Sequence, residues 1–98
     1  MTSDEPIVGT MHLSPDAPGV PDGGLTVASI RVEVSADGHA SGEWIAELVV
    51  QGELPWHKGE KRKVEIRIMS DEFRQQVSTE RPVLVVKRGP ETVGKVVF

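Results

Sequence analysis

Apolar and polar residues alternate with a period of two along much of the chain, the spacing of strands that bury one face. Residues 7–13 read as a short strand. Residues 25–34 alternate as well, with Val27, Ile30, Val32 and Val34 on one face and Arg31, Glu33 and Ser35 on the other. The parity slips at Ala28-Ser29, which predicts a bulge. A turn follows over residues 35–39, centred on Asp37-Gly38. Residues 43–50 place Trp44, Ala46, Leu48 and Val50 on one face and Ile45, Glu47 and Val49 on the other, so this strand is expected to be mostly buried. Residues 63–69 give the clearest alternation, with Val64, Ile66 and Ile68 inward and Lys63, Glu65 and Arg67 outward.

Two stretches break the pattern. Residues 14–24 are dense in Pro, Gly and Asp and predict a loop, as do residues 52–59. Residues 70–77 offer Ser70 as an N-cap and Phe73 and Val77 four apart. Eight residues make at most two turns, so the expectation is a turn or short 3₁₀ piece. Residues 82–87 and 92–98 then close the chain as a hairpin around Gly89-Pro90. About six strands with regular turns predict an all-β fold, a small antiparallel barrel or sandwich. The expected organisation is a disordered tail at 1–6 and a single domain over 7–98.

Composition supports this reading. Among 98 residues there are 15 Val against five each of Ala, Leu and Ile, and β-branched side chains suit a pleated surface. The net charge of −4 argues against a protein that coats nucleic acid. All of it arises within residues 1–24, from Asp4, Glu5, Asp16 and Asp22, whereas residues 56–67 carry a net +3. Cys is absent, which removes disulfides, thiolate metal sites and a Cys nucleophile. The N-terminus lacks the apolar run of a signal peptide and no apolar stretch is long enough to span a bilayer. The expectation is a cytoplasmic protein without membrane contact.

Candidate chemistry is sparse. Gly89 to Lys95 fits G-x-x-x-x-G-K, but position 96 is Val and no room remains for the helix that a phosphate site needs. A hairpin turn and strand are expected instead, with no nucleotide or other cofactor. His12, His39 and His57 form no closely spaced ligand pair, so no metal is expected. No Ser lies in a nucleophile-elbow context, and no enzyme is expected. The basic cluster Trp56, His57, Lys58, Lys61 and Arg62 reads first as a solvated turn with Trp56 covering a barrel end. Its functional readings are a surface for an acidic protein partner or, by stacking and phosphate attraction, for RNA.

Residues 84–97 also resemble the closing hairpin of the C-terminal β-barrel, the third domain, of elongation factor Tu. Gly89, Thr92, Val93, Gly94 and Val97 match as they stand, and residues 54–68 are similar to that family's Pro-Gly-acid turn leading into a strand. The resemblance covers residues 54–98. It implies a six-stranded antiparallel barrel without the nucleotide-binding domain. In that family the barrel contacts the T-stem of aminoacyl-tRNA and other proteins. Pro90 and Glu91 stand here where the family has a turn glycine followed by Arg.

The resulting expectation is a non-catalytic, protein-binding module using Trp56, His57, Lys58, Lys61 and Arg62, with Lys87 and Arg88 as secondary positions. RNA binding through the same cluster is the alternative. A homodimer through residues 92–98 is expected only if the barrel stays open.

Overall fold

The computed structural model describes residues 7–17, 20–38 and 42–98. The tail expected at 1–6 and His39 lie outside the described residues. The strands are β1 (Ile7–Leu13), β2 (Ser29–Ala36), β3 (Trp44–Val50), β4 (Lys61–Ile68), β5 (Leu84–Arg88) and β6 (Glu91–Val97), with one helix, α1 (Asp71–Glu80), between β4 and β5. They form a closed barrel in the order β1-β4-β3-β2-β5-β6, antiparallel throughout. Of the two all-β architectures that the alternation allowed, a small barrel or a sandwich, the chain adopts the barrel, with six strands.

Closure follows from the pleat. Inward positions hold Met11 and Leu13, Val32 and Val34, Ala46 and Leu48, Val64 and Ile66, Leu84 and Val86, and Val93 and Val96, all buried. Burying each of the larger of these stabilises the fold by about 1.5–3 kcal/mol. No polar or charged side chain is buried among the described residues. The last junction joins β6 to β1, from Thr10 opposite Val97 to Leu13 opposite Gly94. A Cβ at Gly94 would press on the His12 carbonyl oxygen and lie 2.8 Å from Met11 Cε. The Thr92-Val93-Gly94 run thus places glycine where two backbones meet most closely. Because β6 pairs with both β1 and β5, it offers no free edge for strand addition through residues 92–98.

Three local expectations change. The strand expected over 25–34 begins at Ser29 and runs to Ala36. Pairing stops where the parity slips: Val50 N–H donates to the Ala28 carbonyl at 2.7 Å, and Val27 is 49% exposed. Leu25 instead pairs with Trp56 in an isolated antiparallel bridge, each amide donating to the other's carbonyl at 2.8 Å. The strand expected to end at Met69 ends at Ile68.

The third change is α1, a ten-residue helix where only a turn was expected. Ser70 caps it, its hydroxyl accepting from Phe73 N–H at 3.3 Å. Arg81, left-handed at φ 50°, closes the far end by donating its N–H to the Val77 carbonyl at 2.9 Å. Phe73 and Val77 are buried, and the Phe73 ring stacks on Trp44 with centroids 3.9 Å apart and planes 5° from parallel. Tertiary burial and two caps supply what helix length alone does not.

The barrel is therefore plugged at both ends. Phe73 of α1 covers the end where β3 starts and β4 finishes. At the opposite end, Ala17, Val20 and Leu25 join the core together with Trp56.

Candidate functional site

The basic cluster does not form the surface that its composition suggested. Trp56 is 0% exposed, so its assignment as a partner-binding residue is overturned. Its bridge to Leu25 anchors the backbone, and its indole Nε1 donates to the Glu60 carbonyl at 3.0 Å. That carbonyl also accepts from Leu13 N–H at 3.1 Å, while Gly59 N–H donates to the Leu13 carbonyl at 2.7 Å. The loop is laced to the end of β1, and the ring has no route to the surface.

The charges around Trp56 are mostly matched within the chain. Lys58 Nζ lies 3.3 Å from Asp22 Oδ1. Glu60 Oε1 accepts from His57 N–H at 2.8 Å and sits 3.4 Å from His57 Nδ1 and 3.9 Å from Arg62 Nη2. The hydrogen bond from the His57 amide, aided by Arg62, holds the Glu60 carboxyl below the usual carboxylate range. Lys87, one of the secondary positions, pairs with Glu43 at 2.9 Å. Of the seven positions singled out in the sequence, Lys61 and Arg88 are exposed and make no ion pair among the described residues. Lys61 stands opposite His12 on β1, which stands opposite Lys95 on β6. Lys95 in turn meets Asp37 at 3.3 Å.

Arg88 leads to a different face. Together with Arg31, Glu33, Ile45 and Glu91 it lines an open concavity of about 520 Å³ on the outer wall of β2, β3 and the β5–β6 turn. A second hollow of about 410 Å³ shares Arg31 and Ile45 and extends over Met69 and Glu47. Ile45 is 42% and Met69 74% exposed. Both belong to one row, since Met69 N–H donates to the Ile45 carbonyl at 3.0 Å.

The charged side chains of this face are balanced in number, Arg31 and Arg88 against Glu33 and Glu91, and none of the four makes an ion pair among the described residues. Arg31 on β2 stands opposite Glu47 on β3, which would normally make a cross-strand pair. Glu47 is instead engaged by Arg67, whose Nη1 lies 3.4 Å from Glu47 Oε1 and whose Nε donates to Glu65 at 2.9 Å. The Glu65 bond further favours the charged form of Arg67. Arg31 is left exposed without an ion pair among the described residues, and so is Arg88. Two free guanidinium groups beside two exposed aliphatic side chains can hold carboxylates and apolar surface together.

Sequence reasoning missed Arg31, Ile45 and Met69. The available sign was Ile45, an aliphatic residue on the β3 face opposite Ala46, Leu48 and Val50. In a barrel wall that parity is the outer one, so the strand read as mostly buried carries an exposed apolar position.

Gly89 to Lys95 is a hairpin turn followed by β6, as its missing helix implied. Among the described residues, no group of three or more His, Asp or Glu side chains is placed to hold a metal ion. No helix among them is long and apolar enough to cross a membrane. Comparisons with protein-family models, curated proteins and solved structures find no match to this chain.

Proposed function

We propose that the protein is a non-catalytic interaction module whose partner is another protein, held at the concave face around Arg31, Ile45, Met69 and Arg88. The observation that carries this reading is the exposed Ile45–Met69 row beside Arg31 and Arg88, which make no ion pair among the described residues. Exposed aliphatic residues rimmed by polar groups mark contact surfaces more often than isolated apolar residues do, and Arg is enriched at the energetic centres of interfaces. An entirely apolar barrel interior supports a role at the surface. The likeness to the translation-factor barrel enters this reading at the level of architecture only.

RNA binding fits less well. Lys61 and Lys63 are available on the outer wall, but the four aromatic residues are buried or half-buried, which leaves no stacking platform. The two readings separate in one comparison. Capture from an extract of the source cells is expected to yield a protein that Ile45→Asp loses and Lys61→Glu retains. A partner lost with Lys61→Glu but retained with Ile45→Asp would sink the assignment to this face. A salt-sensitive gel shift with oligouridylate, abolished by Lys61→Glu, would replace the protein reading with the RNA one.

A further inference from the structure

We propose that Met69 is a peroxide-reactive modification site: its exposed thioether takes up one oxygen, while Met11, the other methionine among the described residues, is shielded in the core. The assignment goes beyond the interaction reading and stands whether or not the outer wall holds a partner.

Composition narrows the chemistry first. The chain has no Cys and three Met, so thioethers are its only sulfur groups, and oxidation of sulfur follows its exposure. Met69 is 74% exposed and Met11 0%. Met1 lies outside the described residues.

The fold imposes this difference. Met11 points inward from β1 at the tightest junction of the barrel, where a Cβ at Gly94 would lie 2.8 Å from its Cε. Met69 follows Ile68, the last inward residue of β4, so strand parity turns it outward. Its backbone is fixed there, because its N–H donates to the Ile45 carbonyl at 3.0 Å. It also precedes the Ser70 cap of α1, the position from which an apolar side chain can pack on the fourth helical residue. That residue is Arg74, not an apolar one.

The oxidant is hydrogen peroxide, and the step balances with it. A sulfur lone pair attacks one peroxide oxygen and the O–O bond breaks. The proton on the transferred oxygen passes to the departing hydroxide, which leaves a sulfoxide and one water. Sulfur gives up two electrons and the peroxide is reduced. Methionine sulfoxide reductases reverse the change, with a dithiol oxidised to a disulfide and the oxygen released as water.

The product alters the outer wall and not the core. Met69 borders the hollow that Arg31, Ile45 and Glu47 also line. A sulfoxide oxygen accepts hydrogen bonds and a guanidinium only donates them, so the oxidised hollow gains a polar group where Ile45 had an apolar neighbour. Oxidation of Met11 would instead place an oxygen in an interior that buries no polar side chain among the described residues, which is unfavourable without a hydrogen-bond partner.

The test exposes the full-length protein to excess hydrogen peroxide at neutral pH and follows each methionine by tandem mass spectrometry, with Met1 scored separately. Met69 is expected to gain one oxygen on the order of tenfold or more faster than Met11, which reacts only as the barrel opens. In urea sufficient to unfold the barrel, the two rates are expected to converge. Protein oxidised at Met69 but not at Met11 is expected to melt at the temperature of the untreated protein, with Met69→Leu treated identically as the control for Met1. Reductase with dithiothreitol is expected to return Met69 to its original mass. Equal native rates at Met69 and Met11, or rates that still differ tenfold in urea, would overturn the assignment. A melting temperature lowered by oxidation of Met69, but unchanged in treated Met69→Leu, would overturn the confinement of the change to the outer wall.

Discussion

Two cationic regions of this barrel have opposite characters. The turn from Trp56 to Lys63 is the most basic stretch of the sequence, yet its aromatic residue is buried and its Lys58, His57 and Arg62 face acids of the same chain. The outer wall of β2 and β3 carries a single arginine in sequence, yet it presents that residue, Arg31, without an ion pair among the described residues and beside exposed Ile45 and Met69. Charge density along a chain measures how many ions are present. What a surface can bind depends on how many of them remain uncommitted after folding.

The contrast breaks most directly at Trp56. If the turn is a core element, Trp56→Ala costs about 3–5 kcal/mol, as for other large buried aromatics, because it empties the barrel end and removes the indole donor to Glu60. Ile45→Ala, on the open wall, is expected to cost less than about 1 kcal/mol. Urea unfolding of the two variants measures both. Similar small losses would mean that Trp56 is accessible after all, restoring the turn as a candidate surface.

The same contrast shows where the sequence was legible. The alternation in residues 63–68 predicted Val64, Ile66 and Ile68 as core, and the barrel uses all three. The hairpin around Gly89-Pro90 was likewise readable, since its turn residues and flanking strands are local. The place of Trp56 at a barrel end was readable, but its complete burial was not, because that depends on a bridge to Leu25 across a long sequence separation. Helix α1 was hidden for the same reason: Phe73 and Val77 are too few to predict a helix until Trp44 provides a surface for them. Arg31 illustrates the limit for the candidate site. Its freedom depends on Arg67, two strands away, competing for Glu47, and no pattern along a single strand reports that competition.

A smaller effect sharpens the electrostatic half of the comparison. Lys58→Ala removes the pair with Asp22 and is expected to lower stability slightly at low salt, the difference fading as ionic strength rises. Arg31→Ala removes no ion pair and is expected to leave stability unchanged at either salt concentration. Thermal melts at low and high salt distinguish them. An Arg31→Ala destabilisation that salt abolishes would show that Arg31 is held by a carboxylate, and the open face would lose its free cation.

The smallest effect concerns Glu60, the acid that serves the basic turn. Its folded carboxyl titrates below the usual range because the His57 amide donates to it and Arg62 lies near. A depressed folded value means that the unfolded chain binds the proton more readily. The resulting stabilisation is present above the unfolded value of about 4.3 and is lost as pH falls through the lower folded value. Glu60→Gln keeps the shape and removes the titration, so the stability gap between wild type and variant is expected to close as pH drops through that window. Solvent screening keeps the gap small, because the Glu60 side chain is 45% exposed. A gap that persists unchanged at pH 3 would assign the contribution of Glu60 to its neutral hydrogen bonds, and the turn would owe its closure to the backbone lacing around Trp56 rather than to matched charge.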